Sequence, residues 1–193
     1  MKIVFASNNA HKLDEIRNIL GEKFEILSLK DIHCFDDIPE TAPTLEGNAL
    51  QKAQWIKEKY GYDCFADDTG LMVDCLDGAP GVYSARYAGE NVSYDDNVNK
   101  LLLEMQDCEK RSAHFSTVIC LIYKGETYYF EGRVDGEILK EKKGNNGFGY
   151  DPVFKPLGQS QTLAEMDASV KNGLSHRYFA SIKLKDFFNQ FQN

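Results

Sequence analysis

No stretch of this 193-residue chain approaches the ~20 consecutive apolar residues that a membrane-spanning helix needs. The opening run, MKIVFAS, is too short for the core of a signal peptide. The expectation is a cytoplasmic protein without a membrane partner. Basic residues are in short supply as well: 22 Lys and Arg stand against 30 Asp and Glu, a formal net charge of −8. Duplex nucleic acid is held by neutralising many phosphates, so this balance argues against a nucleic-acid partner, and an anionic ligand must find a local basic pocket. Cysteines number five (Cys34, Cys64, Cys75, Cys108 and Cys120), with no C-x-x-C pair. An odd, scattered set fits neither a disulfide framework nor a zinc site, and a reducing compartment is expected. Repeats, low-complexity tracts and linkers are absent. The 42% of hydrophobic residues suffices for a substantial core in one domain, 1–193.

What is present alternates between two periods. KIVFA is apolar and β-branched, and SNNAHKLDEIRNILGEK then changes to helical spacing, with Leu13, Ile16, Ile19 and Leu20 on one stripe and Gly21 as a stop. FEILSL predicts a second strand. The acidic segment after it contains Pro39 and Pro43 and predicts a loop. Thr44 is positioned to cap a helix through residue 60, with Leu45, Ala49, Ala53, Ile56 and Tyr60 on one face and Gly61 beyond its end. DCFADD and GLMVDCL read as strands around a turn, and Ser93 with Asp95 and Asp96 as a helix start. The run from His114 to Leu139 predicts two strands joined at KGE, KKGNNGFGYDPVF is irregular, and a last helix is expected from about Ser175 to Phe188. Such an order predicts an α/β chain with a mixed rather than purely parallel sheet.

Four places could carry chemistry, and each has a plain structural reading beside the functional one. SNNAHK (7–12) falls at a strand-to-helix junction, where free N–H groups, the helix dipole and Lys12 favour an anion; alternatively Asn8 and Asn9 cap the helix and Lys12 is solvated. Asp67 and Asp68 cannot enter one site while a strand stays regular, because successive side chains point to opposite faces. If the strand ends there and Gly70 turns the chain, one carboxylate can serve as a metal ligand or general base; otherwise both cap local amides. FGYDPVF (148–154) offers Phe148 for stacking on a base or for a packed corner. KNGLSHR (171–177) gathers Lys171, His176 and Arg177 across a Gly turn, as ligand donors or as a solvated helix start. His33 and His114 are expected to be structural.

Taken together, SNNAHK, PETAPTLEGNALQKA, FADDTGLMVDCLDGAPGVYSARYAG, GFGYDPVF and SHR make the chain resemble the Ham1/RdgB-like inosine triphosphate pyrophosphatase family over nearly its whole length. The resemblance implies two α/β lobes around a long, mixed, twisted sheet with the nucleotide cleft between them, Mg²⁺, a homodimer, and hydrolysis of ITP, dITP and XTP to the monophosphate and pyrophosphate. By the same resemblance, Ser7, Asn8, Asn9, Ala10, His11 and Lys12 would hold phosphates, with Lys52 near them. Glu40 and Asp68 would bind the metal, Asp68 would accept the proton of the attacking water, and Thr69 would contact the nucleotide. Phe148, Gly149, Tyr150 and Asp151 would hold the base and sugar, and Lys171, His176 and Arg177 would complete the base pocket. Many relatives carry Thr-Gly-Asn where this chain has Ser7, Asn8 and Asn9, and Ser in place of Thr69. A Maf-like pyrophosphatase for modified pyrimidines and a non-catalytic nucleotide-binding module are the competing readings.

Overall fold

A computed structural model describes residues 2–190. Seven strands, β1 (Lys2–Phe5), β2 (Glu25–Leu27), β3 (Cys64–Val73), β4 (Pro80–Gly81), β5 (Ser112–Tyr123), β6 (Glu126–Ile138) and β7 (Phe154–Pro156), form one sheet. Its order is β2-β1-β3-β5-β6-β7, with β4 paired to β3. β1 runs parallel to both β2 and β3, whereas β3 with β4 and β6 with β7 are antiparallel, so the sheet is mixed as expected. The helices are α1 (Ala10–Leu20), α2 (Leu45–Tyr60), α3 (Tyr94–Glu104), α4 (Ala168–Leu174) and α5 (His176–Gln190).

The chain forms two compact units. One comprises residues up to Asp68, Thr117–Gly132 and Arg177 onward; the other comprises Thr69–Ser116 and Arg133–His176. In the first, strand alternation separates two cores. Ile3, Phe5, Phe65, Ile119 and Leu121 point to one face and pack with Ile16 and Leu20 of α1 and Ala180, Leu184 and Phe188 of α5. Val4, Ala6, Cys64, Ala66, Cys120 and Ile122 point to the other, against Ala49, Ala53 and Ile56 of α2 and Leu29, Ile32 and Cys34 of the loop between β2 and α2. Each large side chain so buried contributes about 1.5–3 kcal/mol. In the second unit Leu71 and Val73 of β3 join Val98 and Leu101 of α3, and Met105 just beyond its end, with Phe115, Phe154 and Leu163.

Local signals decide several boundaries. Asn9 and Thr44 accept N–H groups at the starts of α1 and α2, and Ser93 and Asp96 form a reciprocal capping box on α3. Lys124 and Gly125, both at positive φ, close the β5–β6 hairpin. Three expectations are corrected. β3 is one unbroken strand through Asp67, Asp68 and Gly70, because β1 and β5 flank it and its pairing overrides the turn-forming residues. Lys171 and Gly173 lie within the short helix α4 rather than in a turn, and extended Ser175 separates α4 from α5. Cys75 and Cys108 form a disulfide, with Cα atoms 6.3 Å apart, while Cys34, Cys64 and Cys120 are free and buried. Sequence spacing gives no view of that pair, since α3 intervenes.

Candidate functional site

Because β3 continues unbroken, its alternation sends the two neighbouring carboxylates to different partners. Asp68 follows Cys64 and Ala66 onto the α2 face. There Asn48 Nδ2 donates to Asp68 Oδ2 at 3.0 Å, and Asp68 Oδ1 lies 3.7 Å from Lys52 Nζ. Lys52 Nζ also donates to Glu40 Oε1 at 2.6 Å. Those two carboxylate oxygens are thus no farther apart than the two Lys52 distances together. Glu40 comes from the Pro-bounded loop, which is anchored to the helix where Ala42 N–H donates to Asn48 Oδ1 at 2.9 Å. Burial pulls the Lys52 ammonium down, but Asp68 and Glu40 outweigh it and hold its pKa above the ordinary lysine value. The Asp68 carboxyl is raised: burial is the largest influence, and Lys52 and Asn48 offset it only in part.

Asp67 follows Phe65 onto the face packed by α1 and α5. Lys12 Nζ, one turn into α1, lies 3.0 Å from both of its oxygens, and Arg177 Nε, at the start of α5, donates to Oδ2 at 3.3 Å. Arg177 also pairs with Glu15 through Nη1. Asp67 is fully buried, and although burial opposes its charge, Lys12 and Arg177 prevail and hold the carboxyl far below the usual range. Lys12 is itself lowered, by burial first and then by Arg177 and Lys52, because it shares one carboxylate with a second cation. At the same junction Asn9 Oδ1 accepts the Lys12 N–H at 3.2 Å and Ser7 Oγ accepts the Asn9 N–H at 3.3 Å. Asn8 before the helix, and Ala10 and His11 at its start, are exposed.

The second unit holds a separate cluster. Lys171 Nζ donates to Asp151 Oδ2 at 2.7 Å and sits 4.9 Å from the centroid of the Phe148 ring, and the Phe148 N–H donates to that same oxygen at 2.8 Å. Tyr94, at the start of α3, places its ring 6.0 Å from that of Phe148. A side chain at Gly147, where φ is +79°, would collide with Asp151 Oδ2, so glycine is required for this approach. Tyr150 donates to the Ser84 carbonyl at 2.8 Å, and His176 stacks on Phe115 with centroids 4.8 Å apart. Gly149 has φ of +64°, and half-buried Thr69 directly follows Asp68.

The structure therefore gathers Lys12, Glu40, Lys52, Asp68 and Arg177 with the 7–11 turn in the first unit, and Phe148, Asp151 and Lys171 in the second. Asn48 and Glu15 escape a sequence reading. Positions 45, 48, 49, 52, 53 and 56 share one helical face of α2, and Asn48 and Lys52 are the polar interruptions of that buried stripe. Buried polar groups need partners, which is the signal that could have found Asn48. Glu15 is an ordinary helix-surface residue by its spacing and carries no such mark. Oxygen-only donors such as Glu40 and Asp68 suit a hard divalent ion, which takes one or two carboxylates and completes its shell with water and phosphate oxygens. Among the described residues no group of three or more His, Cys, Asp or Glu could enclose an ion without such help.

The sequence pattern of the Ham1 family matches residues 3–187. The chain is 56% identical to a dITP/XTP pyrophosphatase of Flavobacterium johnsoniae, over 96% of this chain and 97% of that protein. It is 54% identical to a dITP/XTP pyrophosphatase of Porphyromonas gingivalis, over 96% of each. Among solved structures, the Ham1 protein of Staphylococcus aureus superposes with a TM-score of 0.92 at 38% identity, covering 99% of this chain and all of that one.

Proposed function

This chain belongs to the Ham1 family, and from that premise we propose that it is a nucleoside triphosphate pyrophosphatase that takes dITP, ITP and XTP to the monophosphate and pyrophosphate. The observation that carries the reading is the convergence of Asp68 and Glu40 on the one ammonium of Lys52. A carboxylate raised in pKa by burial, held through one oxygen by Asn48, is suited to accept a proton from the water that attacks the α-phosphorus. Lys12 and the N–H groups at the start of α1 would neutralise phosphate charge, and Lys52 would move from its carboxylates toward a phosphate oxygen. Glu40 and Asp68 would hold Mg²⁺. Bound there, the ion would offset the triphosphate's charge and favour departure of pyrophosphate.

Phe148 would supply a stacking face, with Lys171 and Arg177 as donors for the carbonyl at purine position 6. Adenine presents an amino group there, and a buried donor left unpaired costs ~1–3 kcal/mol, roughly tenfold or more in selectivity. The reading includes a homodimer in the cytoplasm. Sedimentation at twice the monomer mass is expected, and a monomer at micromolar concentration would remove that part.

The central experiment incubates purified protein with dITP and MgCl₂ and separates the products. dIMP and pyrophosphate are expected; dIDP with orthophosphate, or no turnover, overturns the proposal. Asp68→Asn should lower kcat by about 10²–10⁴-fold, the usual contribution of a positioned base.

A further inference from the structure

We infer that Asp67 is a positioning residue that ties the Arg177 guanidinium to the Lys12 ammonium, so that what Arg177 meets at the nucleotide base is felt by the group that holds the phosphates. The inference rests on the pyrophosphatase reading and deepens it. Asp67 is fully buried in β3, and its two oxygens contact Lys12 Nζ at 3.0 Å while Oδ2 accepts from Arg177 Nε at 3.3 Å. Lys12 comes from α1 and Arg177 from α5, so one carboxylate is the meeting point of three elements. A lysine is a flexible point charge on a four-carbon stem, and a fixed, buried carboxylate selects one of its geometries. Arg177 also pairs with Glu15, and a shift of its guanidinium changes the bond it shares with Asp67.

A buried ion network is weak evidence of stabilisation, since well-packed apolar residues often serve as well. Its value here lies in geometry. Asp67 is adjacent to Asp68 yet faces the opposite side of the strand, so it cannot share the proton-accepting task. Its link to Lys12 acts on the phosphates instead. A base that fails to satisfy Arg177 should then misplace Lys12 and slow turnover, beyond simply binding less tightly.

Steady-state kinetics with dITP and dATP in MgCl₂ test this on wild type, Asp67→Asn, Lys12→Met and the double variant. Asp67→Asn should lower kcat/KM for dITP by about 100-fold, mostly in kcat, as expected for a misplaced positioning group. The dITP-to-dATP ratio of kcat/KM should shrink in Asp67→Asn and also in Lys12→Met, which keeps Asp67 and Arg177. The double variant should be no slower than Lys12→Met alone. Asp67→Asn that keeps kcat/KM within about threefold while its melting temperature falls would overturn the inference, leaving a purely structural role. So would Lys12→Met that turns over slowly with an unchanged ratio, and that arm decides alone if Asp67→Asn does not melt cooperatively. Wild type that hydrolyses neither nucleotide sinks the pyrophosphatase reading instead. Calorimetry then decides the link: pyrophosphate binding strengthened by dIMP in wild type and indifferent to it in Lys12→Met supports it, and equal coupling in both overturns it.

Discussion

Asn48 bonds at once to the Asp68 carboxylate and to the backbone of the loop that delivers Glu40. Asn48→Ala removes both bonds and leaves buried polar groups to find new partners, so urea unfolding should show a loss of about 1–3 kcal/mol. Turnover of dITP should fall about tenfold as Asp68 and Glu40 lose their relative placement. On the same face of the sheet, burial pushes the thiols of Cys64 and Cys120 up to about 12 from the ordinary 9.0. The unfolded chain releases these protons from about pH 9 upward, while the folded chain keeps them to about pH 12. The stability they contribute is therefore complete below pH ~9 and is lost as pH rises from ~9 to ~12. Urea midpoints at pH ~8 and ~10 should differ less in a Cys64→Ala, Cys120→Ala variant than in wild type. Lys52 was legible only through the family resemblance, and Asn48 was not, because an amide on a helix has many unremarkable homes.

Elements decide which faces these residues reach. α1, α2 and α3 were legible because capping residues and helical stripes agree, and the β5–β6 hairpin because two β-rich runs flank a short turn. β3 was not, since Asp-Asp-Thr-Gly reads locally as a break and only its neighbours in the sheet keep it extended. α4 is short and contains Gly173, so its propensity is poor, and β4 and β7 are too brief to show a period. The loop that carries Phe148 depends on Gly147. Gly147→Ala would force a strained backbone and push Asp151 away from Lys171 and the Phe148 amide. The KM for dITP should rise about tenfold, the size of one lost stacking contact, with pyrophosphate affinity unchanged by calorimetry.

For the whole molecule, the Cys75–Cys108 bridge closes a 33-residue separation within the second unit. A cross-link of that span restricts the unfolded chain by about 3–4 kcal/mol, so dithiothreitol or a Cys75→Ser, Cys108→Ser variant should lower the melting temperature, and an unchanged one would show the bridge to be without weight. The sequence by itself determined the α/β class, the mixed sheet, most helix boundaries and the chemical types at the candidate site. Capping, periodicity and charge balance are local or additive properties and can be read along a chain. The tertiary structure alone decided that Asp68 shares Lys52 with Glu40, that Asp67 serves Lys12 and Arg177 on the opposite face, and that Cys75 meets Cys108. Those partnerships join residues distant in sequence, and what brings them together is strand order and the burial of two sheet faces, which no single stretch of the chain contains.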